Sequence, residues 1–211
     1  MVGKKSGGNN YARGGRIKVM DGLKRTAIIL ELIEKMKEWG SWCGETHIQK
    51  CSYFLQEMMR VPMEFDFILY KHGPFSFDLR DELTAMRADN LLALHIRAYP
   101  YGPSLLPGSA AEIVMKRYPK TRAKYKSQID FVGKTFAPKG VVELERLATA
   151  FYITKEQGEE QSVERRAQCI HQLKPHISLE EARLAVEDID FLRSEAEKLL
   201  EKLEKETPGG I

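Results

Sequence analysis

The run Phe65-Asp66-Phe67-Ile68-Leu69-Tyr70-Lys71-His72-Gly73-Pro74-Phe75-Ser76-Phe77-Asp78-Leu79-Arg80-Asp81-Glu82-Leu83 decides the fold reading. Its first six residues are short and β-prone, which predicts a strand over 65–70. Gly73-Pro74 predicts the turn, and Ser76 predicts a helix N-cap whose hydroxyl accepts from an amide of the first turn. Leu79, Leu83 and Met86 recur at helical spacing, so a helix is expected to about residue 88, with Asp78 favourably placed near its N-terminus.

Working upstream, Leu23, Ala27, Leu30, Ile33 and Met36 recur every three or four residues and predict an amphipathic helix that Gly40 ends. Thr46-His47-Ile48-Gln49 matches the capping-box pattern and predicts that a second helix starts there. Ile48, Cys51, Phe54 and Met58 would form its apolar stripe, and Pro62 would stop it. Downstream, Asn90 closes the third helix and 91–99 reads as a strand, with a turn at Pro100 to Pro103. Helices are expected over 110–118, 122–132 and 139–154, separated by Pro119 and Pro138, and again over 162–173. Ser178-Leu179-Glu180-Glu181 is a second capping box, opening a final helix to about residue 205. The fold class expected is mainly α (α+β), with a small antiparallel sheet and additional C-terminal helices. No internal repeat is visible.

A chain of 211 residues with 43% hydrophobic and 30% charged side chains can bury a core, which excludes a wholly disordered protein. No apolar run approaches the roughly 20 residues a membrane-spanning helix needs, so no membrane partner is expected. Residues 1–20 are glycine-rich and basic, and read as a flexible tail without the apolar segment of a secretory signal. Residues 21–206 are expected to form one domain, with a core over 23–100 and a helical extension over 110–206, and 207–211 a short tail. Three cysteines do not suit a secreted disulfide scaffold, and a cytoplasmic location is the expectation. The net charge of +3 conceals an asymmetry: residues 1–25 carry +6, 116–139 carry +7, and 178–211 carry −5. Such fields bear on partners and not on fold.

Motifs for chemistry are sparse. Cys43, His47 and Cys51 lie four apart, and Cys169 and His171 could complete a zinc site. Without a short C-x-x-C knuckle, however, the cysteines read as core residues, and no metal or cofactor is expected. No G-x-S-x-G elbow and no phosphate-binding glycine motif is present. The pairs Asp188/Asp190 and Glu180/Glu181 read as solvated helix faces. His72 could titrate near neutral pH, but no second catalytic group accompanies it, and it reads as structural. The chain is expected not to be an enzyme.

The elements Thr46-His47-Ile48-Gln49-Lys50, then Tyr70-Lys71-His72-Gly73-Pro74-Phe75-Ser76, then Asp81-Glu82-Leu83 and Asn90-Leu91-Leu92 resemble the prokaryotic YwgA-like proteins, related to the SocA-like or Panacea antitoxin domain. His72 stands where an aromatic is commoner in that pattern, and Ile48 replaces leucine. Leu144 to Ile153 and Leu173 to Ser178 resemble the longer YwgA-type chain. The resemblance covers roughly residues 25–190. It implies a winged-helix-like core and a role in neutralising a toxin or adapting another protein target. Through it, Thr46, Gln49, Lys50, Tyr70, His72, Gly73, Pro74, Phe75, Ser76 and Asp81 become the candidate interaction residues. It brings no catalytic residue.

Two partner classes remain. The helix after Ser76 carries Asp78, Asp81, Glu82 and Asp89 against Arg80 and Arg87, a poor composition for approaching phosphates. Lys116, Arg117, Lys120, Arg122, Lys124 and Lys126, interleaved with Tyr118 and Tyr125, form a denser basic stretch for nucleic acid. A protein partner is the leading expectation, DNA or RNA the alternative, and a homodimer through the final helix a third arrangement.

Overall fold

The computed structural model describes residues 20–98 and 102–206. The expected tail before Met20, the tip of the turn at Pro100 and the tail over 207–211 lie outside the described residues. Among the described residues eight helices and two hairpins follow in order. Helix α1 (Gly22–Glu38) is capped by the Asp21 carboxylate, which accepts from the Leu23 amide at 3.0 Å. It ends at Gly40, whose φ of +86° is the left-handed conformation expected of a glycine there.

Between α1 and α2 (Glu45–Glu57) the chain is extended. Gly44 bridges Ser104 in antiparallel sense, and the Cys43 carbonyl accepts from the Leu105 amide at 2.9 Å. Those contacts keep Gly44 non-helical and make it the N-cap of α2. The Thr46–Gln49 capping box predicted from the sequence therefore does not form: Thr46 lies inside the first turn, and Gln49 is spent elsewhere.

Strands β1 (Ile68–Tyr70) and β2 (Gly73–Phe75) pair antiparallel, Ile68 opposite Phe75 and Tyr70 opposite Gly73. The turn is Lys71-His72, and the predicted Gly73-Pro74 turn is instead the start of the returning strand. Strand β1 begins three residues later than predicted. The Gln56 side chain occupies both backbone groups of Phe65, accepting from its amide and donating to its carbonyl, each at 2.8 Å. Helix α3 (Phe77–Ala88) starts at the Ser76 cap as expected, with Ser76 Oγ accepting from the Leu79 amide at 3.2 Å.

Strand β3 (Leu92–His95) is shorter than the predicted 91–99 and pairs with β4 (Ser104–Pro107), a strand the sequence pattern did not reveal. Gly108 is required just after it: a Cβ there would sit 2.3 Å from the Asn90 carbonyl oxygen. The bridge at Gly44 joins the edge of the β3–β4 hairpin to the connection between α1 and α2, and β1–β2 is inserted before α3. The small sheet is thus two separate two-stranded units.

The extension comprises α4 (Ala111–Arg117), α5 (Pro119–Phe136), α6 (Val141–Gln157), α7 (Val163–Leu173) and α8 (Leu179–Glu206). Pro119 does not separate helices by leaving a gap; it opens α5 in the first turn, where its missing N–H costs nothing. The Ser178 capping box forms as predicted, Glu181 Oε2 accepting from the Ser178 amide at 2.9 Å and Ser178 Oγ from the Glu181 amide at 3.3 Å. α5 packs on α1, and α6 and α7 pack on α8. One connected apolar core runs from Ile28 to Leu200, with Phe54 and Phe136 stacked 3.8 Å apart near its centre. No described helix is long and apolar enough to cross a membrane.

Candidate functional site

The β1–β2 hairpin is fastened to the body by three long side chains. Gln49 on α2 is fully buried, donates to the Ser76 carbonyl at 2.9 Å and accepts from the Ser76 amide at 3.0 Å. One residue on, Lys50 is also buried, and its Nζ donates to the Pro74 carbonyl at 2.7 Å. From the far side Lys174, between α7 and α8, donates to the carbonyls of Tyr70 and Lys71. Gly73 has φ +82°, and a Cβ there would press on Thr149 Oγ1 at 3.0 Å and approach Lys50 Cε at 3.5 Å. Gly73 is thus needed for the hairpin to lie against α6.

Two lysines this deep need a counter-charge, and Glu145 on α6 supplies it. Its carboxylate is buried and accepts from His72 Nδ1 at 3.3 Å and from His176 Nε2 at 3.2 Å. Desolvation pulls the Lys50 ammonium down to about 8 from its ordinary 10.5, with Glu145 opposing and Lys174 reinforcing that shift. Lys174 is lowered by the same cause, again opposed by Glu145. Both ammonium groups are occupied by backbone carbonyls, which is what holding a loop requires.

Of the predicted interaction residues, the structure gathers Gln49, Lys50, His72, Gly73, Pro74 and Ser76 into this one assembly. Thr46 stands apart at the start of α2, and Asp81 is exposed and paired with Arg80. Glu145, Thr149, Lys174 and His176 belong to the assembly and were not singled out from the sequence. Their trace there is a glutamate and a threonine four apart within the apolar run of α6, and a lysine and a histidine flanking Pro175.

The outer face of the hairpin differs in character. Tyr70, Phe75 and Phe77 have ring centroids 5.1 to 5.8 Å apart. Tyr70 is 53% exposed, Phe77 and Ile68 about 40%, and the Arg80 guanidinium lies over the Phe77 ring at 5.0 Å. A contiguous aromatic surface therefore sits on a rigidly held support.

The basic stretch is less open than its sequence suggests. Arg122 pairs with Glu31 of α1, Lys116 with Glu112, and Lys126 with Asp130, while Lys124 lies over the Tyr125 ring. Tyr125 packs in the core instead of offering a face for stacking. Arg117 and Lys120 are exposed without an ion-pair partner among the described residues. Cys43, His47 and Cys51 are all buried. Cys43 Sγ lies 3.5 Å from the Ile33 carbonyl, and no group of three or more His, Cys, Asp or Glu side chains among the described residues is placed to hold a metal.

No protein-family model matches the sequence, and no curated protein is significantly similar to it.

Proposed function

We propose that the chain is a non-enzymatic interaction protein of the YwgA/SocA-like antitoxin type, acting in the cytoplasm by binding and neutralising or adapting a protein target. The observation that carries the reading is the Tyr70–Phe75–Phe77 cluster, with Tyr70 and Phe77 exposed, where a hairpin held by Gln49, Lys50 and Lys174 runs into α3. Exposed aromatics with an arginine beside them are the composition from which interface hot spots are built. A support fixed in advance also reduces the entropy lost on docking. The buried polar assembly then serves to present the aromatic face, and the motif residues inside it act as positioning residues. This agrees with what the resemblance to the YwgA-like proteins implies.

A tagged pull-down of the full chain from a native-type lysate, at low and high salt, tests the proposal. A stoichiometric protein partner that survives high salt and is lost when Tyr70 and Phe77 are truncated supports it. Nucleic acid that elutes with salt, without such a partner, overturns it in favour of the stretch from Lys116 to Lys126, because phosphate contacts weaken steeply with ionic strength. Recovery of only a second copy of the chain also overturns it.

A further inference from the structure

A second concavity lies away from the buried assembly, between the start of α2, the outer side of α3 and the β3–β4 hairpin. It holds about 270 Å³, the scale of a single-ring ligand. Its walls combine two chemistries. Trp42, Leu83, Leu94 and Leu105 give an apolar lining, whereas Arg80, Arg87, Thr46 and Thr84 bring polar groups to the same space.

Two observations give that space a sign, and a third marks it as a place for a ligand's polar group. The N-terminus of α2 opens into it with Gly44 as N-cap and no side-chain cap, so the amides of Glu45, Thr46 and His47 have no helical carbonyl behind them. Of the charged groups lining it, Arg80 and Arg87 are basic and Glu45 is a carboxylate. Arg80 is shared with Asp81, and Arg87 has no ion-pair partner among the described residues. The third observation is independent of both. His47 lines the cavity, is 1% exposed, and neither ring nitrogen has a hydrogen-bond partner. The Lys139 backbone faces the ring without closing a hydrogen bond of good geometry. Trp42 meets the ring edge-on at 5.2 Å, and burial pulls the imidazole pKa below its usual value, keeping it neutral. A buried imidazole left without partners is costly, and a ligand's polar group would relieve that cost.

We infer that this cavity is a binding site for a small organic anion, an aromatic ring carrying a carboxylate or phosphate. The ring would lie among Trp42, Leu83 and Leu105, with the charged group toward Arg87 and the free amides of α2. The site shares Arg80 with the aromatic face but none of its three rings, and its test reads binding of a small anion, so the outcome does not depend on the proposed protein partner.

The experiment is nuclear magnetic resonance titration of the full ¹⁵N-labelled chain, following the Trp42 indole N–H, distinguished from that of Trp39 by a Trp39→Phe variant. Phenyl phosphate and benzoate are the probes, and benzyl alcohol is the neutral control. A saturable shift with either anion, and none with benzyl alcohol, is expected, and the stronger of the two identifies the preferred charged group. Arg87→Gln, a surface substitution, should raise the dissociation constant about tenfold or more, the scale of one charge-assisted hydrogen bond. His47→Phe keeps a ring but removes both nitrogens and should also weaken binding. If that variant unfolds, Arg87→Gln decides alone. Absence of a saturable shift with both anions, an equal response to benzyl alcohol, or unchanged affinity in Arg87→Gln overturns the inference.

Discussion

Gln49 pairs through its side-chain amide with both backbone groups of Ser76, 27 residues away, in a site closed to water. Seven residues further along α2, Gln56 makes the same two-way pairing with Phe65. A spacing of seven puts both glutamines on one helix face. They therefore grip the two ends of the 65–76 segment, and the hairpin between them is held as a unit. At Ser76 the backbone position of the helix cap is fixed by one α2 side chain, Gln49, while Lys50 and Lys174 hold the rest of the hairpin.

Gln49→Leu keeps much of the volume but leaves the Ser76 amide and carbonyl buried without partners. The expected loss is about 2–4 kcal/mol of unfolding free energy, since each buried orphan group costs roughly 1–3 kcal/mol. Gln56→Leu should cost less, because its site is only partly buried and water can replace the amide. Urea denaturation of the two variants checks the order, and an equal loss would contradict the assignment of Gln49 as the main fastening.

Lys50 makes a pH-dependent contribution with a defined sign. Its folded value, about 8, lies below its ordinary 10.5, so between those pH values the unfolded chain holds the proton that the folded chain has released. Stability from this group is lowest below pH 8 and is regained as pH rises toward 10.5, by up to about 3 kcal/mol. Cys43, pushed up to about 11 by burial, works in the opposite direction, since the unfolded thiol ionises first. The Lys50 contribution is therefore the difference in slope between wild type and Lys50→Met over pH 8–10, read from denaturant midpoints. Parallel slopes would refute it.

Arg166 and Asp190 tie α7 to α8 through two bonds of 2.7 and 2.6 Å, with Thr154 of α6 accepting a third from the same guanidinium at 3.0 Å. Their environments are unequal: the Arg166 side chain is 4% exposed and that of Asp190 35%. Asp190→Ala strands a buried cation and should cost about 3–5 kcal/mol. Arg166→Met leaves a carboxylate that water can reach and should cost less. Thermal or urea unfolding ranks the two, and the reverse order would show that the guanidinium is not the costly partner.

Tyr70→Ala and Phe77→Ala together test the outer face. Tyr70 is 53% and Phe77 40% exposed and neither belongs to the buried core, so unfolding free energy should move by no more than about 1–2 kcal/mol. Capture of the protein target should fall by about thirtyfold or more, the effect of truncating one hot-spot side chain of 2 kcal/mol. Titration calorimetry against the target recovered by pull-down separates the two quantities. Retained affinity would place the interface elsewhere.

Much of the helical framework is legible in the sequence because its signals are local. Ser76, Ser162 and the Ser178–Glu181 pair each satisfy amides within three residues, and Gly40 ends α1 by its own conformational freedom. Apolar spacing of three and four similarly identifies the buried side of α3, whereas in α1 the predicted stripe is incomplete: Leu23 is exposed and five consecutive residues, 26–30, are buried. Tertiary structure decides everything whose partner is distant. Thr46 and Gln49 match a capping box, yet the bridge from Gly44 to Ser104 moves the helix start, and the buried backbone of Ser76 claims the glutamine. Glu145 becomes the counter-charge of two lysines only because α6, the hairpin and the α7–α8 connection meet there, and Arg122 is drawn away from solvent by Glu31. A polar side chain's role depends on which groups share its low-dielectric surroundings, and that is determined by packing and not by spacing along the chain.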